Sequence, residues 1–217
     1  MSSTHTHSMW RRRDWSRLAL MGLLSPNALW ASAPPDEGFD YVRLTHDAPR
    51  IDPQGLEVLE FFRYGCPFCD RFEPMVRQWK ANLPAQVRFH YVPVSFQSTS
   101  HQQLYLTLRQ IGQDERLHQS VYDAIHRQGQ HFEILMEISQ WVQQRGVDPI
   151  EFEAAWHSAA VAQAMVQAND LVRAYGVTSV PQLGVAGRYR TSPAMVGGSN
   201  QRALEVVDHL ITLARKG

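Results

Sequence analysis

The stretch FFRYGCPFCDRFEP, from Phe61 to Pro74, holds the only two cysteines of the 217-residue chain. Cys66 and Cys69 are three positions apart, with Pro67 and Phe68 between them. A disulfide across so short a loop adds little stability, because the entropy it removes from the unfolded chain grows with loop length. The pair therefore indicates either redox chemistry or half of a metal site.

Length and composition exclude several classes of protein. The chain has no net charge at neutral pH, and 44% of its residues are hydrophobic. These values exclude an intrinsically disordered chain and a basic nucleic-acid-binding protein. The length suits one sizeable domain, or a small domain with another inserted in it. We expect no nucleic-acid partner.

Residues 1–33 predict a signal peptide. Four arginines within residues 11–17 precede the apolar run LALMGLLSPNALW and the small-residue site Ala31-Ser32-Ala33. This order is typical of a secretory signal. The run is shorter than the roughly 20 residues that a membrane-spanning helix needs. We expect export, while an uncleaved anchor, a disordered leader and an amphipathic helix remain alternatives, and the cleavage site and export route stay open.

The residues around the cysteines predict a strand followed by a helix. GLEVLEFF (residues 55–62) is mostly apolar and rich in strand formers, and it predicts a buried strand in which the carboxylate of Glu60 is unusual. Pro67 suits the first position of a helix. Apolar residues then recur at three- and four-residue steps, which predicts one buried helix face: Phe72, Met75, Val76 and Trp79. Pro74, inside this pattern, predicts a kink or an early end.

The rest of the chain predicts an α/β layer that is interrupted by helices. Residues 87–92 alternate as a strand does, and residues 101–175 show helical periodicity throughout. Strand signals return at 182–185, a tight turn leads into 188–190, and a last helix covers about 201–214. This order predicts a sheet-containing domain with a helical insertion.

A thiol at a helix N-terminus faces unpaired N–H groups and the positive end of the helix dipole. Both favour the thiolate, so we expect Cys66 to have a lowered pKa and to be the nucleophile, with Cys69 as the resolving thiol. The Cys66–Cys69 disulfide would then be an oxidant. A structural zinc needs about four ligands, and the sequence has no second CxxC and no convincing histidine pair. We therefore expect neither a metal nor a cofactor.

Two motifs together, LEFFRYGCPFCDRFEP and TSVPQLGVAGRY (residues 178–189), resemble the DsbA-type thiol:disulfide oxidoreductases of the bacterial periplasm. The resemblance implies a thioredoxin-like fold, in two parts (residues 34–97 and 171–217), with an inserted helical domain (98–170). It implies a monomeric dithiol oxidase that donates its Cys66–Cys69 disulfide to folding exported proteins. A membrane partner similar to the DsbB quinone reductase would reoxidise it.

The resemblance also implies roles for residues outside the cysteine pair. Val180 and Pro181 correspond to the family's cis-proline loop, which can pair with the backbone of an incoming peptide. Glu60 corresponds to the buried acid beneath the disulfide, and His90 falls where the family often has a lysine partner for that acid. The alternatives are a Glu60 that faces solvent and a His90 that is merely packed.

One departure concerns the residues between the cysteines. The best-known DsbA proteins have Pro-His there, whereas this chain has Pro67-Phe68, as in the DsbL branch. Phe68 can neither donate a hydrogen bond nor carry charge, so it removes one source of thiolate stabilisation. A disulfide isomerase or reductase on the same fold remains an alternative, as does a chaperone-like or metal-binding module.

Overall fold

The elements follow the α/β order that the sequence predicts. The computed structural model describes residues 34–216, so the expected signal peptide, residues 1–33, lies outside the described residues. The described elements run in this order: β1 (Val42–Arg43), β2 (Leu56–Phe62), α1 (Pro67–Lys80), β3 (Val87–Pro93), α2 (Thr99–Gln110), α3 (Asp114–Gln128), α4 (Leu135–Gln143), α5 (Pro149–Trp156), α6 (Ala159–Ala174), β4 (Gln182–Val185), β5 (Tyr189–Thr191), a short 3₁₀ helix (Pro193–Val196) and α7 (Asn200–Ala214).

The strand before the cysteines lies inside a five-stranded sheet of order β1-β5-β4-β2-β3. β2 pairs in parallel with β3 and antiparallel with β4. It is flanked on both edges and covered on both faces, so nearly all of its residues are buried. This environment explains its nearly continuous apolar sequence. The thioredoxin-like fold with an inserted helical domain is confirmed.

Alternate residues of β2 face two separate cores, as the pleat of a strand requires. Val58 and Phe62 belong to the larger core, which α1, α3 and α7 cover. Leu59 and Phe61 belong to the smaller core, which α6 covers. Glu60 lies between Leu59 and Phe61 in the sequence, so it points to the same side as Val58 and Phe62, toward the cysteine helix.

Five helices, α2 to α6, lie between β3 and β4. The sequence predicts the insertion over residues 98–170, and Ser98, at its expected start, caps α2 with its side chain. The expected end at residue 170 falls inside α6, which continues to Ala174. An unbroken helix is a poor domain boundary, so we propose that the insertion extends to Ala174.

Pro74 does not end the cysteine helix, because α1 continues to Lys80. The expected early end is wrong. Pro74 itself is exposed. The strand β1 was not predicted, since two residues are too few to show a pattern. Among residues 34–216, no helix is long and apolar enough to cross a membrane.

Gly184 of β4 has no room for a side chain. A Cβ there would overlap the ring of Tyr175. That ring is fully buried against Phe61, with ring centroids 5.1 Å apart, and its hydroxyl accepts a hydrogen bond of 2.9 Å from the N–H of Gly187. Because the ring is fixed at both ends, it cannot move aside.

We therefore expect Gly184→Ala to lower the free energy of unfolding by about 1–3 kcal/mol, through overpacking. Gly146→Ala is the comparison, because its φ of +78° is unfavourable but the space around it is open. That backbone penalty should be about 1–2 kcal/mol. Urea denaturation measures the stability of both variants. If Gly184→Ala no longer destabilises the protein when Tyr175→Leu is also present, the Tyr175 ring is the obstacle. A fully stable Gly184→Ala protein would contradict the account.

Candidate active site

Cys66 occupies the residue position directly before α1. Its backbone is extended (φ −93°, ψ 116°), and Pro67 is the first helical residue. The Cys66 carbonyl already accepts the first helical hydrogen bond, from the N–H of Asp70 at 3.1 Å. The Cys66 side chain therefore lies over the first turn, where N–H groups have no helical partner.

The pKa of the Cys66 thiol is lowered to about 6. The largest cause is a hydrogen bond from the Cys69 thiol. Burial acts in the opposite direction, and the backbone N–H groups of Cys69 and Phe68 and the charge of Arg63 lower the pKa further. The helix N-terminus thus contributes as the sequence suggests, but the partner thiol contributes most.

Cys69 has the opposite environment. Its side chain is completely buried, and burial raises the pKa of its thiol well above the ordinary range. The hydrogen bond that it donates to Cys66 and the charge of Glu60 raise it further. Both cysteines are free thiols here. One thiol of the pair is therefore poised to ionise, while the other retains its proton.

The Val180–Pro181 segment lies beside Cys66, and its peptide bond is cis. The Cys66 Sγ lies 3.5 Å from the carbonyl oxygen of Val180, to which the thiol donates. The sheet explains this neighbourhood. β4 is antiparallel to β2, with Gln182 opposite Phe61, so the residues before β4 meet the residues after β2.

Phe68 faces solvent at the start of the helix. Its side chain is 63% exposed, and the guanidinium carbon of Arg71 lies 4.7 Å from the centre of its ring. A cation at this distance from an aromatic face is a favourable contact. The residue between the cysteines therefore presents an apolar ring, capped by a positive charge, next to the reactive sulfur.

Glu60 is a buried acid, with only 1% of its surface exposed. The alternative of a solvent-facing Glu60 is therefore wrong. Burial raises the pKa of its carboxyl well above the ordinary range, the charge of Glu73 raises it further, and Lys80 opposes both. Because Glu60 in turn raises the pKa of Cys69, the acid and the buried thiol are electrostatically linked.

His90 does not partner Glu60, so this expectation is wrong. In the β2–β3 ladder His90 pairs with Leu59, whereas Tyr91 pairs with Glu60. Residues that pair directly lie on the same face of a sheet, so His90 lies on the opposite face from the acid. Burial and the nearby Arg109 lower the pKa of His90, as expected for a packed, neutral imidazole.

The residues that do surround Glu60 were missed from the sequence. Glu73 of α1 is 3% exposed, and it accepts hydrogen bonds from the Tyr91 hydroxyl at 2.9 and 3.1 Å. His118 of α3 is 4% exposed, and its Nε2 lies 3.4 Å from Glu73 Oε2. Glu73 could have been noticed, since a residue four positions after Cys69 shares its helix face. His118 carried no such signal.

Within the described residues, His, Cys, Asp and Glu side chains form no group of three or more that could hold a metal ion. The site thus consists of two thiols with opposite environments, a cis-proline loop against one sulfur, and buried acids below the other. Such an arrangement can accept and return electron pairs at sulfur, with proton donors close to the buried thiol.

Curated proteins resemble this chain over most of its length. The DsbA thiol:disulfide interchange protein of Bordetella parapertussis is 35% identical over 205 residues, which cover 93% of this chain and 98% of that protein. The protein of the same name from Pseudomonas aeruginosa is 36% identical over 82% of this chain and 85% of its own. The family model of the DSBA-like thioredoxin domain matches residues 86–207.

The chain belongs to the DsbA family. It is a thiol:disulfide oxidoreductase. Solved structures agree with this assignment: the crystal structure of Pseudomonas aeruginosa DsbA is 35% identical, with a TM-score of 0.80 over 84% of this chain and 95% of that one. The DsbA oxidoreductase of Xylella fastidiosa gives a TM-score of 0.78 at 26% identity over 84% of this chain and 99% of that one.

The first prediction for the site concerns the hydrogen bond between the two thiols. Cys69→Ala removes the donor, so the pKa of Cys66 should rise from about 6 by about one unit or more. Cys69→Ser keeps a hydroxyl donor at the same place and should retain most of the lowering. Thiolate absorbance against pH measures both single-cysteine proteins. Equal pKa values in the two variants would contradict the assignment.

The second prediction concerns stability against pH. The pKa of Cys66 is about 6 in the folded protein and about 8.5 in the unfolded chain. The pKa of Cys66 is lower in the folded protein, so ionisation of Cys66 stabilises the reduced protein at pH values above about 6. This gain in stability disappears as the pH falls through 6. The gain is about 1.4 kcal/mol at pH 7 and grows by about 1 kcal/mol per pH unit up to pH 8.

The oxidised protein lacks this gain but has a disulfide, which over so short a loop is worth about 2 kcal/mol. We therefore expect oxidised protein to be the more stable form at pH 6 and reduced protein at pH 8. Urea denaturation of both forms at each pH measures the difference. A variant with both cysteines replaced by serine is the control, because it has neither the thiolate nor the disulfide. A stability difference between oxidised and reduced protein that does not change with pH would contradict the prediction.

Proposed function

We propose that the protein is a periplasmic dithiol oxidase that donates its Cys66–Cys69 disulfide to reduced exported proteins. The observation that carries this proposal is the opposite shift of the two thiol pKa values, lowered to about 6 for Cys66 and raised for Cys69. A thiolate that is stable when free is a good leaving group. Electrons are therefore accepted readily by this disulfide.

The reaction proceeds by two exchanges at sulfur. A substrate thiolate attacks Cys66 Sγ, the Cys66–Cys69 bond breaks, and its electron pair goes to the Cys69 sulfur. That sulfur takes a proton, for which the candidate donor is the buried Glu60, whose charge acts on Cys69. The second substrate thiolate then attacks the substrate sulfur of the mixed disulfide and releases Cys66 as the thiolate. The substrate leaves with a disulfide, and the enzyme holds the two electrons.

The Val180–Pro181 segment is the proposed docking point for the substrate backbone. Its support is position, because the Val180 carbonyl lies 3.5 Å from the sulfur that the substrate attacks. The exposed Phe68 ring and the Arg71 guanidinium above it lie on the same helix end. They offer contacts to apolar and acidic side chains next to the substrate cysteine.

Continued turnover needs a partner that removes the two electrons. We propose a membrane quinone reductase of the DsbB type, which fits a monomeric enzyme whose reduced form holds a stable thiolate at Cys66. The periplasmic location is supported by the cationic and apolar leader in residues 1–33 and by membership of the DsbA family.

The reduction potential of the Cys66–Cys69 pair tests the function. Equilibration with glutathione should give a value closer to the roughly −120 mV of a strong oxidant than to the roughly −270 mV of thioredoxin. Oxidised protein should also introduce a disulfide into a reduced, unfolded substrate protein, and Cys66→Ser should abolish this activity. A potential near that of thioredoxin, together with faster reduction than oxidation of the substrate, would replace the oxidase with a reductase.

A further inference from the structure

The two buried acids beneath the cysteine pair have unequal hydrogen-bond partners. Glu73 faces the Tyr91 hydroxyl, at 2.9 Å from Oε2, and His118 Nε2, at 3.4 Å from the same oxygen. Glu60 Oε2 is buried and finds no hydrogen-bond partner in the part of the chain that the structure describes. Donors stabilise a carboxylate, and burial without donors stabilises the neutral acid.

The neighbours of His118 fix its orientation. Its Nδ1 lies 2.9 Å from the hydroxyl of Tyr64, while its Nε2 faces a carboxyl oxygen of Glu73, which accepts hydrogen bonds; the tautomer that satisfies both contacts has the Tyr64 hydroxyl donating to Nδ1. The hydrogen of a neutral imidazole is then on Nε2, which faces Glu73. The ring is also packed against Tyr91 and Phe62, with centroids 4.3 and 5.0 Å away.

We propose that His118 is a positioning residue of the redox site: through Nε2–H it holds the negative charge of the acid pair on Glu73, so that the proton stays on Glu60, beside Cys69. This role rests on the proposed oxidase function. The 3.4 Å contact is longer than a good hydrogen bond, so the Nε2–H group acts on the Glu73 carboxylate as a dipole, in a site where the surrounding apolar groups strengthen electrostatic interactions.

The position of the proton on Glu60 matters in the first exchange with substrate. When Cys69 leaves as a thiolate, it needs a proton inside the fold, and a protonated Glu60 supplies one. If the proton were on Glu73 instead, a Glu60 carboxylate would face the new thiolate, and two negative charges would repel each other. His118 therefore acts through Glu73 and Glu60 and does not touch the reacting sulfur.

The charged and titratable groups around this cluster come from every element packed on it. They are Glu60 from β2, Tyr64 from the following loop, Cys69, Glu73 and Lys80 from α1, Tyr91 from β3, Tyr105 from α2, and Asp114, Glu115 and Tyr122 from α3. The Lys80 ammonium is bound to Glu115 at 2.9 Å. Of these groups, the Tyr91 hydroxyl is the other donor to Glu73, and it is intact in all the variants below.

The test follows the protonated carboxyl group of Glu60 directly, as its carbonyl stretch in infrared spectra of the reduced protein over a range of pH. The band is assigned by its loss in Glu60→Gln. His118→Phe keeps an aromatic ring but removes the donor, so the midpoint at which Glu60 loses its proton should fall by about one pH unit or more. His118→Gln places an amide N–H near Nε2 and should restore the midpoint.

A second variant covers the case in which His118→Phe does not fold. Tyr64→Phe removes the hydroxyl that fixes the imidazole and should lower the midpoint in the same direction. Tyr105→Phe removes another buried hydroxyl from the same aromatic cluster, without touching the His118 nitrogens, and should leave the midpoint in place. The proposal is overturned if the Glu60 midpoint in His118→Phe equals that of the unmodified protein. Where only Tyr64→Phe folds, the same comparison is made with that variant.

Peptide oxidation activity distinguishes a failure of the role of His118 from a failure of the oxidase function. Oxidation of a dithiol peptide by His118→Phe should decline at a lower pH than in the unmodified protein, with the pKa of Cys66 unchanged by thiolate absorbance. An unmodified protein that fails to oxidise the peptide refutes the oxidase function. An unmodified protein that is active, with an infrared midpoint that His118→Phe does not move, refutes only the role of His118.

Discussion

The hydrogen bond from the Cys69 thiol to the Cys66 sulfur is the interaction on which the chemistry of this protein depends. It exists because Cys66 lies just before the helix and Cys69 lies one turn inside it. The same contact lowers the pKa of one thiol and raises that of the other. Two identical side chains thus acquire different roles from their positions relative to one helix end.

The acids below the cysteines repeat this arrangement. Glu60 and Glu73 are both buried, but the donors lie on the side of Glu73. Burial raises the pKa of Glu60, whereas Glu73 accepts hydrogen bonds from the Tyr91 hydroxyl. The thiol pair and the acid pair come from the same two elements, the end of β2 and the start of α1, and the charge of Glu60 raises the pKa of Cys69.

The sheet makes both arrangements possible. β2 is buried on both edges and both faces, so it delivers Cys66 to a fixed place at the end of the sheet. The antiparallel β4 brings Val180 and Pro181 to the same place. The helical insertion contributes His118 to the cluster beneath the cysteines, which gives the inserted helices a part in the redox site besides covering it.

The sequence by itself determined the local features of the protein. The CxxC pair after an apolar strand, the proline at the first helical position and the helical periodicity of the insertion each follow from residues that are close in the chain. Their physical causes, which are backbone geometry and side-chain periodicity, are local, so neighbouring residues suffice to predict them. Glu60 also belongs here, as a carboxylate within a strand that is mostly apolar.

Only the tertiary structure decided what surrounds that carboxylate. The register of β3 on β2 placed Tyr91 and not His90 beside Glu60, and a shift of one residue reverses the face of every side chain. The packing of α1 and α3 on the sheet brought Glu73 and His118 together, although they are far apart in the sequence. Register and helix packing result from the whole core, because each depends on many contacts between distant residues, and no short segment specifies them.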